Sequence, residues 1–139
     1  MCLTWLVKLH IMTSPDIPQD VQELATRLFD MARQGDQQLV QYIDHGVAVD
    51  MVNQEGNSFL MLAAYAGHAE LVAALIERGA DVNKLNDRGQ SPLAGAIFKK
   101  EDAVAEALIE AQADPHRGSP TAVETARMFG REDLLERLR

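Results

Sequence analysis

Gly56 and Gly89 stand 33 residues apart, and the text after each glycine repeats. Asn57-Ser58-Phe59-Leu60 follows the first and Gln90-Ser91-Pro92-Leu93 the second. The register continues through Leu71 and Val104, Leu75 and Leu108, Ile76 and Ile109, Ala80 and Ala113. A period of about 33 residues with a helix-turn-helix inside each copy marks a stacked repeat, an all-α solenoid. Such a chain has no enclosed catalytic cleft by default. It has a long open face, and faces of this kind bind other molecules.

Local signals divide each copy. Asp20-x-x-Glu23 reads as a capping box that opens a first helix, with Val21, Leu24, Ala25, Leu28 and Ala32 on one face. Gly35 ends that helix, Asp36 caps the next, and Leu39, Val40 and Ile43 point inward before Gly46. Ser58 and Ser91 take the N-cap position, where a hydroxyl accepts an orphan backbone N–H. Pro92 follows at the first helical position, where its missing N–H costs nothing. Gly67 breaks between two helices and Gly79 ends the second. From Val82 to Arg88 runs a projecting turn, with Asn83, Asn86, Asp87 and Gly89 as its turn residues. The third copy departs twice: Lys100 stands where Gly67 stood, and Gln112 where Gly79 stood. A non-glycine residue in the left-handed region costs about 1–2 kcal/mol, so these turns are either strained or differently shaped. The connection through Asp114-Pro115-His116-Arg117-Gly118 is short, and the period from Ser91 to Thr121 is 30, which predicts a truncated finger.

Gly56 to His68 and the following Ala69 to Asn83 resemble an ankyrin repeat over its full length. Gly89 to Asp114 resembles a second, and Gly118 to Arg139 a third through Thr121-Ala122, Ala126 and Gly130. Residues 20–53 resemble an N-terminal repeat, with Gly35-Asp36 and Gly46 as markers. The resemblance is to a small, bacterial-type, single-domain ankyrin protein of about four repeats, divided as 20–52, 53–85, 86–115 and 116–139. It implies that His68 makes structural hydrogen bonds between loops. It also places Tyr65-Ala66, Phe98-Lys99 and Met128-Phe129, the pairs before the inter-helix break, on the concave side. Met61, Ala94 and Glu124 replace the family's Thr-Pro-Leu-His histidine, which leaves its inter-repeat bonding unfilled.

Hydrophobic content is 47% and aromatic content 5%, the makeup of thin helices packed through Leu, Val and Ala. The net charge of −8 argues against nucleic acid, which needs a basic face to release counterions, and against anionic membranes. It suits a cytoplasmic protein kept soluble by its charge, or one with a basic partner. The single cysteine, Cys2, allows no internal disulfide. The apolar run Cys2 to Val7 is cut by Lys8 and His10, too short to span a bilayer and without a leader's cleavage pattern. Residues 1–11 read as a mis-called start or a flexible tail, against a membrane-touching arm marked by Trp5. Residues 12–19 read as a linker. The last helix turns Leu134, Leu135 and Leu138 inward and Arg131, Glu132, Asp133, Glu136, Arg137 and Arg139 outward, the polar end of a complete array.

No catalytic, metal or cofactor constellation emerges. His10, His45, His68 and His116 lack metal-ligand spacing, and Glu101, Asp102, Glu106 and Glu110 read as one solvated flank. The sharper feature is the stripe of Tyr65, Phe98 and Met128, large residues at one structural position in three successive repeats. Aromatics anchor interfaces, though they also fill gaps between helices. Gln54, Glu55, Asn57, Asp87, Arg88 and Gln90 at the turn tips supply a polar rim. The expected role is a non-enzymatic monomer that binds a protein partner through concave face and turn tips. A small enzyme or ligand-binding groove, and a subunit or regulator of a protein encoded nearby, remain the alternatives.

Overall fold

The computed structural model describes residues 19–138. The expectations for residues 1–18, Cys2 and Trp5 among them, and for Arg139 lie outside that range. Among the described residues eight helices follow one another: α1 (Gln19–Gln34), α2 (Gln38–Asp44), α3 (Phe59–Ala66), α4 (Ala69–Glu77), α5 (Pro92–Phe98), α6 (Asp102–Glu110), α7 (Ala122–Met128) and α8 (Glu132–Arg137). Each odd helix packs on the even helix after it, giving four hairpins. The inner helices then stack in order, α1 on α3, α3 on α5 and α5 on α7, while α4 packs on α6 in the outer layer. Among the described residues there is no strand, only an isolated antiparallel bridge between Val52 and Ser58.

The inner helices start where side-chain oxygens can close the first turn. Ser58 Oγ accepts from the Met61 N–H and Ser91 Oγ from the Ala94 N–H, each at 3.1 Å. Thr121 caps α7 through its hydroxyl, and Glu124 reaches back to the Thr121 N–H at 2.8 Å, a full capping box. Glu124 therefore fills the vacant histidine position with a local cap. Two cap assignments shift. Asp20 lies inside α1 rather than at its N-cap, since the helix already covers Gln19. Asp36 sits one residue outside the formal cap Gln37, yet its carboxylate accepts from the Gln38 N–H at 2.9 Å.

The apolar positions converge on one continuous core. Phe29 of α1 meets Phe59 of α3 with ring centroids 4.8 Å apart, and Leu60, Leu71, Leu75, Leu93, Ile97 and Leu108 are fully buried. Burying each such side chain contributes about 1.5–3 kcal/mol before chain entropy is charged against it. Outside the helices, polar contacts repeat with the same period. Asp50 accepts the Asp81 N–H at 2.8 Å, and Asn83 accepts the Asp114 N–H at 2.7 Å, each bond joining one repeat to the next. His68 Nε2 bonds the Arg33 carbonyl at 2.8 Å across 35 residues, the inter-loop role the resemblance implies.

At the third hairpin the backbone keeps the shape that glycine gives the second. Gly67 has φ 83°, and Lys100 has φ 61° with a side chain attached; Gln112 likewise has φ 64°. The strained alternative is the one adopted. Arg131 departs from the outward set. Its side chain lies mostly against the protein, and the guanidinium bridges Asp102 at 3.0 Å and Asp133 at 3.0 Å. Glu106 pairs with Arg137, so the flank of carboxylates on α6 is partly engaged. Glu101 lies off that flank altogether, half-buried in the loop before α6 and above Gly67.

Candidate functional site

The inner helices end on the concave side, and their last residues shape one groove. Tyr65 of α3, Ala94, Gly95 and Phe98 of α5, Lys99 just beyond it, Pro120, and Thr125 and Met128 of α7 line about 390 Å³. Gln90 closes the finger side. The stripe residues do not behave alike. Phe98 is 59% exposed and Met128 68% exposed, but Tyr65 is half-buried.

Gly95 explains the difference. It lies within α5 beneath the Tyr65 ring, and a Cβ there would overlap Tyr65 Cε1. Glycine in a helix costs about 1 kcal/mol relative to alanine, and here it opens a seat for an aromatic ring. Burial of that ring raises the Tyr65 hydroxyl pKa, an effect that the Arg88 charge partly offsets. One repeat on, the position of Gly95 is held by Thr125, which is buried with its hydroxyl donating to the Thr121 carbonyl at 2.8 Å. Phe98 finds no seat there. Its ring instead leans on Phe129, edge to face, with centroids 5.7 Å apart. Phe129, 40% exposed, is outside the groove lining and braces Phe98 from behind. Ala66 is exposed and outside the lining.

The finger residues are held from below by two asparagines that the sequence reading passed over as site elements. Asn53 Oδ1 accepts the N–H groups of Glu55 and Asn57, each at 3.0 Å. Asn86, 33 residues later, accepts those of Arg88 and Gln90 in the same way. Asn86 Nδ2 also donates to Asn57 Oδ1 at 2.9 Å and to Gln90 Oε1 at 2.8 Å, tying two fingers together. Of the predicted rim, Gln54, Glu55, Asp87 and Arg88 are exposed, whereas Asn57 and Gln90 are half-buried in this network. The Asn-x-x-Gly-x-[Ser] spacing common to both copies was the available signal.

Two of the three described histidines put a ring nitrogen on a backbone carbonyl. His45 Nδ1 lies 2.6 Å from the Gln41 carbonyl and His68 Nε2 bonds the Arg33 carbonyl, while at His116 it is the backbone N–H that donates to Asp114 Oδ1. Among the described residues, no group of three His, Cys, Asp or Glu side chains could hold a metal ion, and no helix is long and apolar enough to cross a membrane.

Four stacked helical hairpins with fingers projecting beside a concave groove define a helical repeat protein with an open binding face. The sequence matches the profile of ankyrin repeats, three copies, over residues 28–119, and the chain belongs to the ankyrin repeat family. It is also 44% identical over 59 residues to a Pseudomonas aeruginosa ankyrin repeat protein. That alignment takes in 42% of this chain and 34% of the relative's length. Ankyrin repeats are in general protein–protein interaction modules, and the family is typically non-enzymatic.

Proposed function

We propose that this protein is a non-catalytic binding module that holds a protein partner in the concave groove between α3, α5 and α7. The observation that carries the reading is the pair Phe98 and Met128. Both are large, apolar and more than half exposed on either side of one groove. Exposed large apolar residues gathered on a concave surface favour a partner. Phe98 is also braced by Phe129, so little side-chain entropy remains to be lost on binding. The fingers from Gln54 to Asn57 and Asp87 to Gln90 supply the polar rim. A groove and two fingers can contribute the roughly 800 Å² per partner of a standard interface.

The test is quantitative capture from the native host with the intact chain, beside the double variant Phe98→Ala, Met128→Ala. Removal of two interface anchors costs about 2 kcal/mol or more, roughly thirtyfold in affinity. The expected outcome is loss of the captured partner at that level with a melting temperature within a few degrees of the parent. Capture unchanged by the double variant defeats the reading.

A further inference from the structure

The groove's charge pattern runs against that of the chain. The protein carries 21 acidic and 13 basic residues, yet the one ionisable side chain of definite charge lining the groove is the cation Lys99. Arg88 stands on the finger two residues before the groove-lining Gln90, its N–H held by Asn86. Four arginines elsewhere are engaged: Arg33 with Asp30, Arg78 with Asp44, Arg131 with Asp102 and Asp133, and Arg137 with Glu106. Among the described residues, Lys99 and Arg88 make no ion pair. The finger beside the groove carries the exposed acids Glu55 and Asp87 as well as Arg88, but inside the groove Lys99 is a lone cation on an apolar wall, complementary to an anion that carries an apolar group.

We infer that the groove selects an acidic peptide segment, one apolar side chain seated between Phe98 and Met128 with a neighbouring carboxylate on Lys99. This rests on the groove being the partner site. The Tyr65 hydroxyl and Gln90 offer further polar contacts along the segment. Charge at such a rim governs partner choice and encounter rate more than total affinity. The chain's overall negative charge opposes an acidic partner at long range, and salt screens that repulsion beyond about 8 Å at physiological strength. Contact with Lys99 and Arg88 acts within that distance.

Panning a random peptide display library against the intact protein tests this directly. The expected result is enrichment of sequences with an aromatic or aliphatic residue beside Asp or Glu. Binding of a synthetic copy of an enriched peptide should weaken roughly tenfold with Lys99→Glu, and panning on that variant should enrich basic flanks instead. Peptides that lose binding with Phe98→Ala but show no acidic preference, or ignore Lys99→Glu, overturn the charge inference and leave the groove as the partner site. Failure of every enriched peptide to depend on Phe98 or Met128, or no enrichment at all, counts against both. Sedimentation of the protein alone supplies the remaining arm. A dimer that Phe98→Ala converts to monomer would mean that a second copy covers the groove, and would overturn the peptide reading.

Discussion

At the scale of the residue, two positions carry opposite relations between glycine and stability. Gly95 has helical backbone geometry, so its value lies in the missing Cβ under the Tyr65 ring. Gly95→Ala should gain helix propensity and lose more through overpacking, for a net destabilisation of about 1–2 kcal/mol. In a Tyr65→Ala background the same change should become neutral or stabilising, because the seat is then empty. Urea denaturation of the four proteins measures this coupling, and independent effects would show that ring and glycine do not interact. Lys100 is the reverse case. Its φ of 61° strains any residue with a side chain, and its ammonium has no ion partner among the described residues. Lys100→Gly should therefore raise stability by about 1 kcal/mol, read as a higher urea midpoint at constant slope. A fall instead would mean that Lys100 makes a contact worth more than the strain.

At the scale of the element, the fingers depend on Asn86, whose side chain makes four hydrogen bonds to two fingers. Asn86→Ala removes all four and should cost about 2–3 kcal/mol, whereas Asn86→Asp keeps the two acceptor bonds and should cost less. Thermal melts of the pair order these losses, and equal losses would show that the acceptor bonds from the Arg88 and Gln90 N–H groups contribute nothing. How far such elements were legible follows from the range of their contacts. The Ser58 and Ser91 caps could be read from the sequence, because each is decided within a few residues and the period aligns the copies; at Lys100 the period marked the position but left a strained turn and a differently shaped one open. The Thr121–Glu124 box was equally local, but Glu124 was read against the family's histidine and so as a vacancy. Burial of Tyr65 against exposure of Phe98 was not legible. Both share one repeat position, and the outcome turns on whether the next helix presents Gly95 or Thr125. Arg131 escaped for the same reason: its helix pattern faces it outward, while its partner Asp102 stands 29 residues away. The stripe was thus visible as a set of residues, and the groove only as geometry.

At the scale of the molecule, stacking makes stability a sum of neighbour interfaces, and the last hairpin has its described neighbour on one side only. Helix α8 packs on α7 and is pinned to α6 by Arg131 with Asp102 and Arg137 with Glu106. Two exposed carboxylates of this hairpin have lowered pKa values, Glu124 through its bond to the Thr121 backbone and Asp133 through its bond to Arg131. A carboxyl whose pKa is lower in the folded state than in the unfolded chain stabilises the fold fully above the unfolded value. That contribution fades as pH falls through the folded value. Acidification below about pH 4, the ordinary carboxylate range, should therefore loosen residues 121–138 before α3 to α6. Two-dimensional amide spectra between pH 7 and pH 3 would show this as early broadening confined to α7 and α8. The double variant Glu124→Gln, Asp133→Asn should flatten that pH response, because neither replacement titrates. Its last hairpin should already be less protected from hydrogen exchange at pH 7. Simultaneous loss of signals along the whole chain would instead mean that the hairpins melt as one unit, with the acid response set by carboxylates spread over the molecule.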